Sequence, residues 1–346
     1  MASNQDKQPL RWGILGTSFI SHTVVAAIQS SSASTVVSVF GRDETRLAAF
    51  ADKFSIPARH STSIEALLDD AEATFDVVYI GLPSHLHAEA SIAAAKRGKA
   101  ILSEKSLATT MDDSEAMIKA AREANVFFME GLMYRCHPLI TKVGEILKAG
   151  TLGDVRSVEG HYSSNIWKRA NPLGRGTIYN LGCYPVSLLQ FVIECSIGPE
   201  AFTATGRRVS GVGNIATDGG VRHVRDAALT ARFANGTLAT IQSSDSHGKS
   251  FGFTVQGSEG TLRCITNPWL PSADDDNVIE VTKKSGETER IAVKGEWDAF
   301  GYQVRRVEEG IKAGKTEPEW PAASWQTSID IMGLLLEWEE EVLKQS

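Results

Sequence analysis

Lys105 and Tyr184 are the residues of this chain best equipped to manage a proton. Lys105 stands in Glu104-Lys105-Ser106, directly after the apolar run Ala100–Ser103. Tyr184 closes the run Asn180-Leu181-Gly182-Cys183-Tyr184. A phenol is a weak base at its free pKa of about 10, and a nearby ammonium favours the phenolate and lowers that value. Such a pair can take the hydroxyl proton of an alcohol while a hydride leaves its carbon. In reverse it can protonate a forming alkoxide whose charge the ammonium stabilises. Asn180 and Tyr184 lie one turn apart at the start of a helical stretch, so they can share a face. Taken singly, Lys105 also reads as a solvated surface lysine and Tyr184 as a packing residue.

A hydride needs a carrier, and the start of the chain offers a seat for one. Gly13-Ile14-Leu15-Gly16-Thr17-Ser18-Phe19-Ile20-Ser21 is an apolar run that closes at Gly16 and opens into a helix-like stretch. A turn of this kind aims free N–H groups and the positive end of a helix at a pyrophosphate. Aligned on Gly16, the G-x-G-x-x-G pattern becomes G-x-S-x-x-S, with serines small enough for close approach and able to donate to phosphate. An ordinary strand-to-helix turn is the alternative. The next strand ends in Gly41-Arg42-Asp43, with Arg46 following. An arginine in place of the acidic residue that holds ribose hydroxyls favours a 2′-phosphate, hence NADP over NAD. Arg42 also reads as a solvated loop residue, with Asp43 capping the following helix.

Trp167-Lys168-Arg169 offers either an anion-binding corner or an exposed basic loop. His85, His87 and His161 lack companion carboxylates at ligand spacing, so they are expected as loop or cofactor contacts and no metal site is expected. The four cysteines are scattered without a C-x-x-C pair, which fits reduced thiols and a cytoplasmic setting.

Elements that must position these residues follow from periodicity. Strands are expected at Trp12–Leu15, Thr35–Phe40, Phe75–Leu82, Ala100–Ser103 and Val126–Met129. They alternate with helices at 20–30, 44–54, 88–97 and 112–124. This alternation implies βαβ units and a parallel sheet. Beyond residue 131 the rhythm changes. Helices at 138–149 and 185–193 flank a strand at 155–162 and a loop at 171–176, then strands dominate from 201 to 293 (Ala227–Phe233, Leu238–Ser243, Phe251–Gln256, Thr261–Cys264, Val278–Thr282 and Glu289–Val293), and helices at 298–313 and 324–344 close the chain. The expectation is a Rossmann dinucleotide-binding domain over 1–131. A largely antiparallel α+β domain with helices on one face follows over 132–346. The opening residues contain no apolar core of signal-peptide length, and no run is long enough to span a bilayer. A net charge of −7 argues against nucleic acid or an anionic membrane as a partner.

Together with Gly81-Leu82-Pro83-Ser84-His85-Leu86-His87 at the end of the 75–82 strand and Tyr134-Arg135-Cys136-His137-Pro138, these motifs resemble the glucose–fructose oxidoreductase and inositol dehydrogenase (Gfo/Idh/MocA) family. They are similar in order and position to its Pro-Asn-x-x-His, Glu-Lys-Pro, Tyr-Arg-x-x-Pro and Asp-x-Gly-x-His/Tyr segments, over nearly the whole chain. The likeness is greatest to the branch of dimeric dihydrodiol dehydrogenases and sugar 1-dehydrogenases. The resemblance implies NAD(P)-dependent hydride transfer on a carbohydrate-like substrate, and a homodimer or higher homo-oligomer built through the second sheet. It implies that Lys105 binds substrate and acts in catalysis, that Tyr184 holds the acid/base position, and that Asn180, Trp167 and Arg169 meet the substrate. Gly16, Ser18, Phe19, Ile20, Gly41, Arg42, Arg46, Leu82, Pro83, His85, His87, Glu104, Lys105, Arg135 and Trp167 are expected along the cofactor.

Departures from the family pattern are Ser106 for proline, expected to loosen the backbone after Lys105, Asn180 for aspartate, and Arg175-Gly176-Thr177 in place of a glycine run. Asn180 can bond a hydroxyl but cannot take a proton, which moves that role to Tyr184 or Lys105. Two other functions fit the same motifs: a redox-neutral oxidoreductive glycosidase acting on an anionic sugar glycoside, and a non-catalytic NAD(P) sensor.

Overall fold

The first third of the chain folds as the alternation requires. In the computed structural model, which describes residues 8–203 and 207–345, the elements run β1 (Leu10–Leu15), α1 (Phe19–Gln29), β2 (Ser34–Phe40), α2 (Glu44–Phe54), β3 (Ala58–His60), α3 (Ile64–Leu68), β4 (Val77–Ile80), α4 (His87–Ala95), β5 (Ala100–Ser103), α5 (Met111–Glu123) and β6 (Phe128–Glu130). The strands form one parallel sheet in the order β3-β2-β1-β4-β5-β6. Every residue of β4 and β5 is buried, as expected where helices cover both faces. Local chemistry sets the helix starts: the side chains of Ser18, Asp43, Ser63 and Thr110 each accept a backbone N–H of the first turn. Part of the N-terminal stretch assessed above for a signal core lies outside the described residues.

Two differences from the sequence reading have simple causes. The strand expected over 75–82 is confined to Val77–Ile80, because Gly81 turns the chain toward the cleft. β3 and α3, three and five residues long, are too short for a period to show.

The second part comprises α6 (Pro138–Lys148), β7 (Val155–Ser163), a π-helical turn (Ile178–Gly182) running directly into α7 (Cys183–Ser196), α8 (Glu200–Thr203), β8 (Arg208–Asp218), β9 (Val221–Arg232), β10 (Leu238–Ser244), β11 (Ser250–Gly257), β12 (Gly260–Cys264), β13 (Asn277–Lys283), β14 (Thr288–Val293), α9 (Ala299–Lys312) and α10 (Trp325–Leu343). Its sheet order is β14-β13-β12-β11-β7-β10-β9-β8, with β7 and β10 parallel and the other neighbours antiparallel. β8 escaped the sequence reading because Gly211, Gly213 and several exposed residues break its apolar alternation. α7 lies against β7 at Gly160, where a Cβ would stand 3.0 Å from Pro185 Cβ and 2.9 Å from the Phe253 ring. That close approach carries Tyr184 into the interior.

α9 and α10 return to the first sheet. The hydroxyls of Ser31 and Ser34 both donate to Glu308 Oε1, at 2.5 and 2.6 Å. Trp325 Nε1 donates to Phe128 O at 3.1 Å. The parallel sheet ends with β6 at Glu130, and the last two helices pack back against it. Among the described residues no helix is long and apolar enough to cross a membrane.

Candidate active site

The strand order reverses between β1 and β4, and at that point the carboxyl ends of a parallel sheet leave a crevice. Gly16 occupies its floor at φ +104°, where a Cβ would lie 2.7 Å from Gly81 O, so only glycine lets these two strand ends meet. Ser18 caps α1 by accepting Ser21 N–H at 3.4 Å, and the two hydroxyls lie 2.9 Å apart. The serines at the later glycine positions thus bond to each other. Gly16, Thr17 and Ser18 join Gly41, Arg42, Arg46, Gly81, Leu82 and Pro83 around a hollow of about 150 Å³. Asp43 caps α2 by accepting Arg46 N–H at 2.9 Å, and its carboxylate lies 3.2 Å from Arg46 Nε. Asp43 therefore serves as the helix cap while Arg42, exposed and without a protein partner among the described residues, fronts the hollow.

Through Ser18, Gly81, Leu82 and Pro83 the hollow continues into a larger cavity of about 450 Å³. Phe19, Ile20, Glu104, Lys105, Arg169, Asn180 and Tyr184 line it, with Met133, Tyr162, Leu270 and Phe300 as an apolar wall. Lys105 Nζ donates to Asn180 O at 2.7 Å, which fixes the ammonium and leaves its other N–H bonds free for a ligand. The same nitrogen lies 5.1 Å from the centre of the Tyr184 ring. Among the described residues the Tyr184 hydroxyl has only a weak hydrogen-bond contact, to Met133 Sδ at 3.8 Å.

The geometry corrects the expected pairing. Lys105 lies over the face of the Tyr184 ring, not at its oxygen. Burial drives the phenol well above its ordinary pKa, and the neighbouring Cys183, Glu104, Tyr162 and Tyr134 push it further the same way. Burial therefore favours the neutral phenol. Burial also raises Glu104, against the opposing pull of Lys105 and of the Tyr79 hydroxyl, which donates to Glu104 Oε1 at 3.0 Å. The loosening expected at Ser106 does not occur, because its buried hydroxyl donates to Tyr179 O at 2.8 Å and ties the Lys105 loop to the π-helical turn.

Four residues expected on the cofactor do not line either hollow. Arg135 is 1% exposed, donates to Pro321 O at 2.8 Å and to Gln190 Oε1 at 3.0 Å, and stacks over Phe191, so it is an internal anchor. His87 is buried behind the cleft, its ring nitrogens 2.9 Å from Leu82 O and 3.0 Å from Ser106 O, where it links the loops after β4 and β5. His85 stands outside the lining of both hollows, though near enough to Arg42 that burial first, and this charge second, lower its pKa. Trp167 turns its ring to the Arg225 guanidinium, 4.0 Å from the ring centre, while its neighbours Ile166 and Arg169 line the cavity. In each case packing decides the side-chain direction, which is not legible in the sequence.

Sequence reasoning missed the apolar wall and Asp245. This aspartate, 1% exposed, follows β10 and lies behind Asn180, whose Nδ2 donates to Asp245 Oδ2 at 3.5 Å. The one available signal was its position after the carboxyl end of β10, the strand parallel to β7. Among the described residues no group of His, Cys, Asp and Glu is arranged to hold a metal ion.

Comparison with known proteins agrees with this architecture. Residues 10–132 match the oxidoreductase family with an NAD-binding Rossmann fold (GFO_IDH_MocA), and residues 140–263 match the GFO/IDH/MocA C-terminal domain. A D-xylose 1-dehydrogenase (NADP(+)) of Haloferax volcanii is 30% identical over 330 residues, covering 93% of this chain and 94% of that protein. A trans-1,2-dihydrobenzene-1,2-diol dehydrogenase of Bos taurus is 30% identical over 360 residues, covering 93% and 95%. The crystal structure of a 3-ketoreductase from Actinomadura kijaniata with NADP superposes with a TM-score of 0.80 at 22% identity over 96% of this chain and 98% of that one, a likeness of fold. With a glycine turn at the switch point of a parallel sheet, a second sheet that completes the cavity, and full-length relatives at this level of identity, the chain belongs to the GFO/IDH/MocA family of NAD(P)-dependent oxidoreductases.

Proposed function

We propose that the protein is a dehydrogenase or reductase of a sugar-like substrate that works with NADP in preference to NAD. The observation that carries this reading is the gathering of the Lys105 ammonium, the Tyr184 phenol and Asn180 on one cavity that opens onto the Gly16 turn. The residues fit a dinucleotide: Gly16 admits a close backbone approach, α1 directs its N-terminus into the hollow, and Arg42 fronts it. A nicotinamide bound there supplies or accepts the hydride. The chain supplies the rest. Lys105 spends one N–H on Asn180 O and offers the others to the reacting oxygen, stabilising negative charge as it develops. Tyr184, neutral and weakly held, donates its proton to that oxygen when a carbonyl is reduced. Met133, Tyr162 and Phe300 exclude water and strengthen both effects. Relatives named as a D-xylose 1-dehydrogenase (NADP(+)) and a dihydrodiol dehydrogenase support a hydroxyl-bearing substrate.

Nicotinamide absorbance of the purified protein, followed with both cofactors across sugars, diols and the matching carbonyl compounds, tests the reading. Net oxidation or reduction is the expected result. Silence throughout overturns it. Cofactor choice has its own test. Arg42→Ala should weaken NADP more than NAD and shift the ratio of their affinities by about tenfold or more, because a charge-assisted hydrogen bond contributes roughly 1.5–3 kcal/mol. Titration of both cofactors by protein fluorescence measures the ratio, and an unchanged ratio assigns Arg42 to the solvated loop.

A further inference from the structure

Asn180 stands where the family resemblance leads one to expect an aspartate, and a buried carboxylate, Asp245, lies directly behind it. Asp245 Oδ2 accepts from Asn180 Nδ2 at 3.5 Å, while Asp245 Oδ1 is buried without a hydrogen bond and lies 3.8 Å from Arg225 Nε. Arg225 is in turn stacked on Trp167 at 4.0 Å. The backbone is pinned as well: Asp245 O accepts from Ile166 and Trp167 N–H, both at 3.1 Å, and Asp245 N–H donates to Arg225 O at 3.1 Å. A carboxylate can only accept hydrogen bonds, so Asn180 must give it the NH₂ end of its amide. The Oδ1 end then lies toward Gly174, whose Cβ position is 3.8 Å away and which lines the cavity with Asn180.

We propose that Asp245 is a positioning residue that locks the Asn180 amide with its oxygen toward the cavity, so that the enzyme selects substrates carrying a hydroxyl next to the reacting carbon. This rests on the oxidoreductase reading above and adds the residue that fixes the acceptor for the hydroxyl beside the reacting carbon. Lys105 and Tyr184 hold the reacting oxygen, and the fixed acceptor at position 180 takes the neighbouring O–H. A deoxy analogue leaves that acceptor without a partner, which is the condition for strong discrimination.

The lock is also pH-sensitive. Burial raises the Asp245 pKa to about 6, outweighing the Asn180 hydrogen bond, Arg225 and His223, which favour the carboxylate, while Asp226 adds to the rise. Above that pH the carboxylate holds the amide. Below it the protonated acid can donate to Asn180 Oδ1, and the amide is free to turn.

Two measurements on the full-length protein test the proposal. The first requires no substrate: the Asn180 side-chain NH₂ signals in ¹⁵N NMR, assigned by their loss in Asn180→Asp, should titrate with a midpoint near 6 in the wild type and stay flat in Asp245→Asn. Signals that do not titrate in the wild type overturn the lock. The second compares kcat/KM for a vicinal diol and its deoxy analogue. The wild type should prefer the diol by ~10²-fold or more, and Asp245→Asn should reduce that ratio to within ~10-fold, because a carboxamide at 245 accepts either end of Asn180. An equal fall for both compounds shows a merely structural Asp245 and sinks the proposal, while the oxidoreductase reading stands. A wild type inert toward every compound ends that reading, and the NMR result still decides the lock.

Discussion

Replacing Lys105 with methionine is expected to lower kcat/KM by at least ~10²-fold, the scale on which a preorganised electrostatic donor acts. Methionine keeps most of the side-chain volume, so the change removes charge and donor capacity with little loss of packing. The ammonium has a fixed place, since Asn180 O holds it at 2.7 Å, and it has no competing ion pair among the described residues. Its remaining N–H bonds point to one use, stabilising the oxygen on which charge develops. Cofactor affinity should change far less, because the hollow around Arg42 is lined by other residues. Steady-state kinetics beside a cofactor fluorescence titration separate the two. Near-normal turnover in Lys105→Met would end the mechanism proposed here, and a large loss of cofactor binding would move Lys105 from the substrate side to the cofactor.

Tyr184→Phe is expected to cost about 10²-fold in kcat/KM, the lower range for a general acid. The shape of the pH profile is the sharper test. Burial holds the folded-state pKa of the phenol well above its ordinary value, so Tyr184 stays protonated throughout the range in which the protein is assayed. The wild-type profile should therefore show no basic limb belonging to this residue, and Tyr184→Phe should lower the profile without changing its shape above neutrality. A wild-type basic limb near neutrality that disappears in Tyr184→Phe would show that Lys105 lowers the phenol after all, and that its charge outweighs burial. The wall that buries Tyr184 (Met133, Tyr134 and Tyr162) makes the first outcome the expected one.

Several elements were legible because their signals are local. β5 and α2 have the bounds that periodicity and capping gave them, Ala100–Ser103 and Glu44–Phe54. Asp43 was readable as a helix cap, since capping joins residues only three apart. β8 was not legible, because it is held by pairing with β9 and its own residues carry little apolar alternation. The π-helical turn before α7 was also invisible. It sets the register that turns Asn180 and Tyr184 to the same cavity, and nothing in its composition announces it.

The sequence by itself determined the strand–helix alternation that makes the first sheet parallel, the glycine turn after its first strand, and the candidacy of Lys105, Asn180 and Tyr184. The first two rest on residue type and short spacings, and the candidacy rests on the order of motifs along the chain. Only the tertiary structure decided where the side chains point and which protons they keep. Arg135, His87 and Trp167 sit in the expected segments yet turn inward or sideways, because buried carbonyls and an arginine face offer them partners that the cleft does not. Tyr184 keeps its proton because residues from several elements bury it, and burial disfavours charge whatever the sequence neighbours are. Asp245 stands behind Asn180 although 65 positions separate them, because β7 and β10 run parallel and bring their ends together at the cavity. Side-chain direction and protonation state depend on the whole fold, so local sequence cannot fix them.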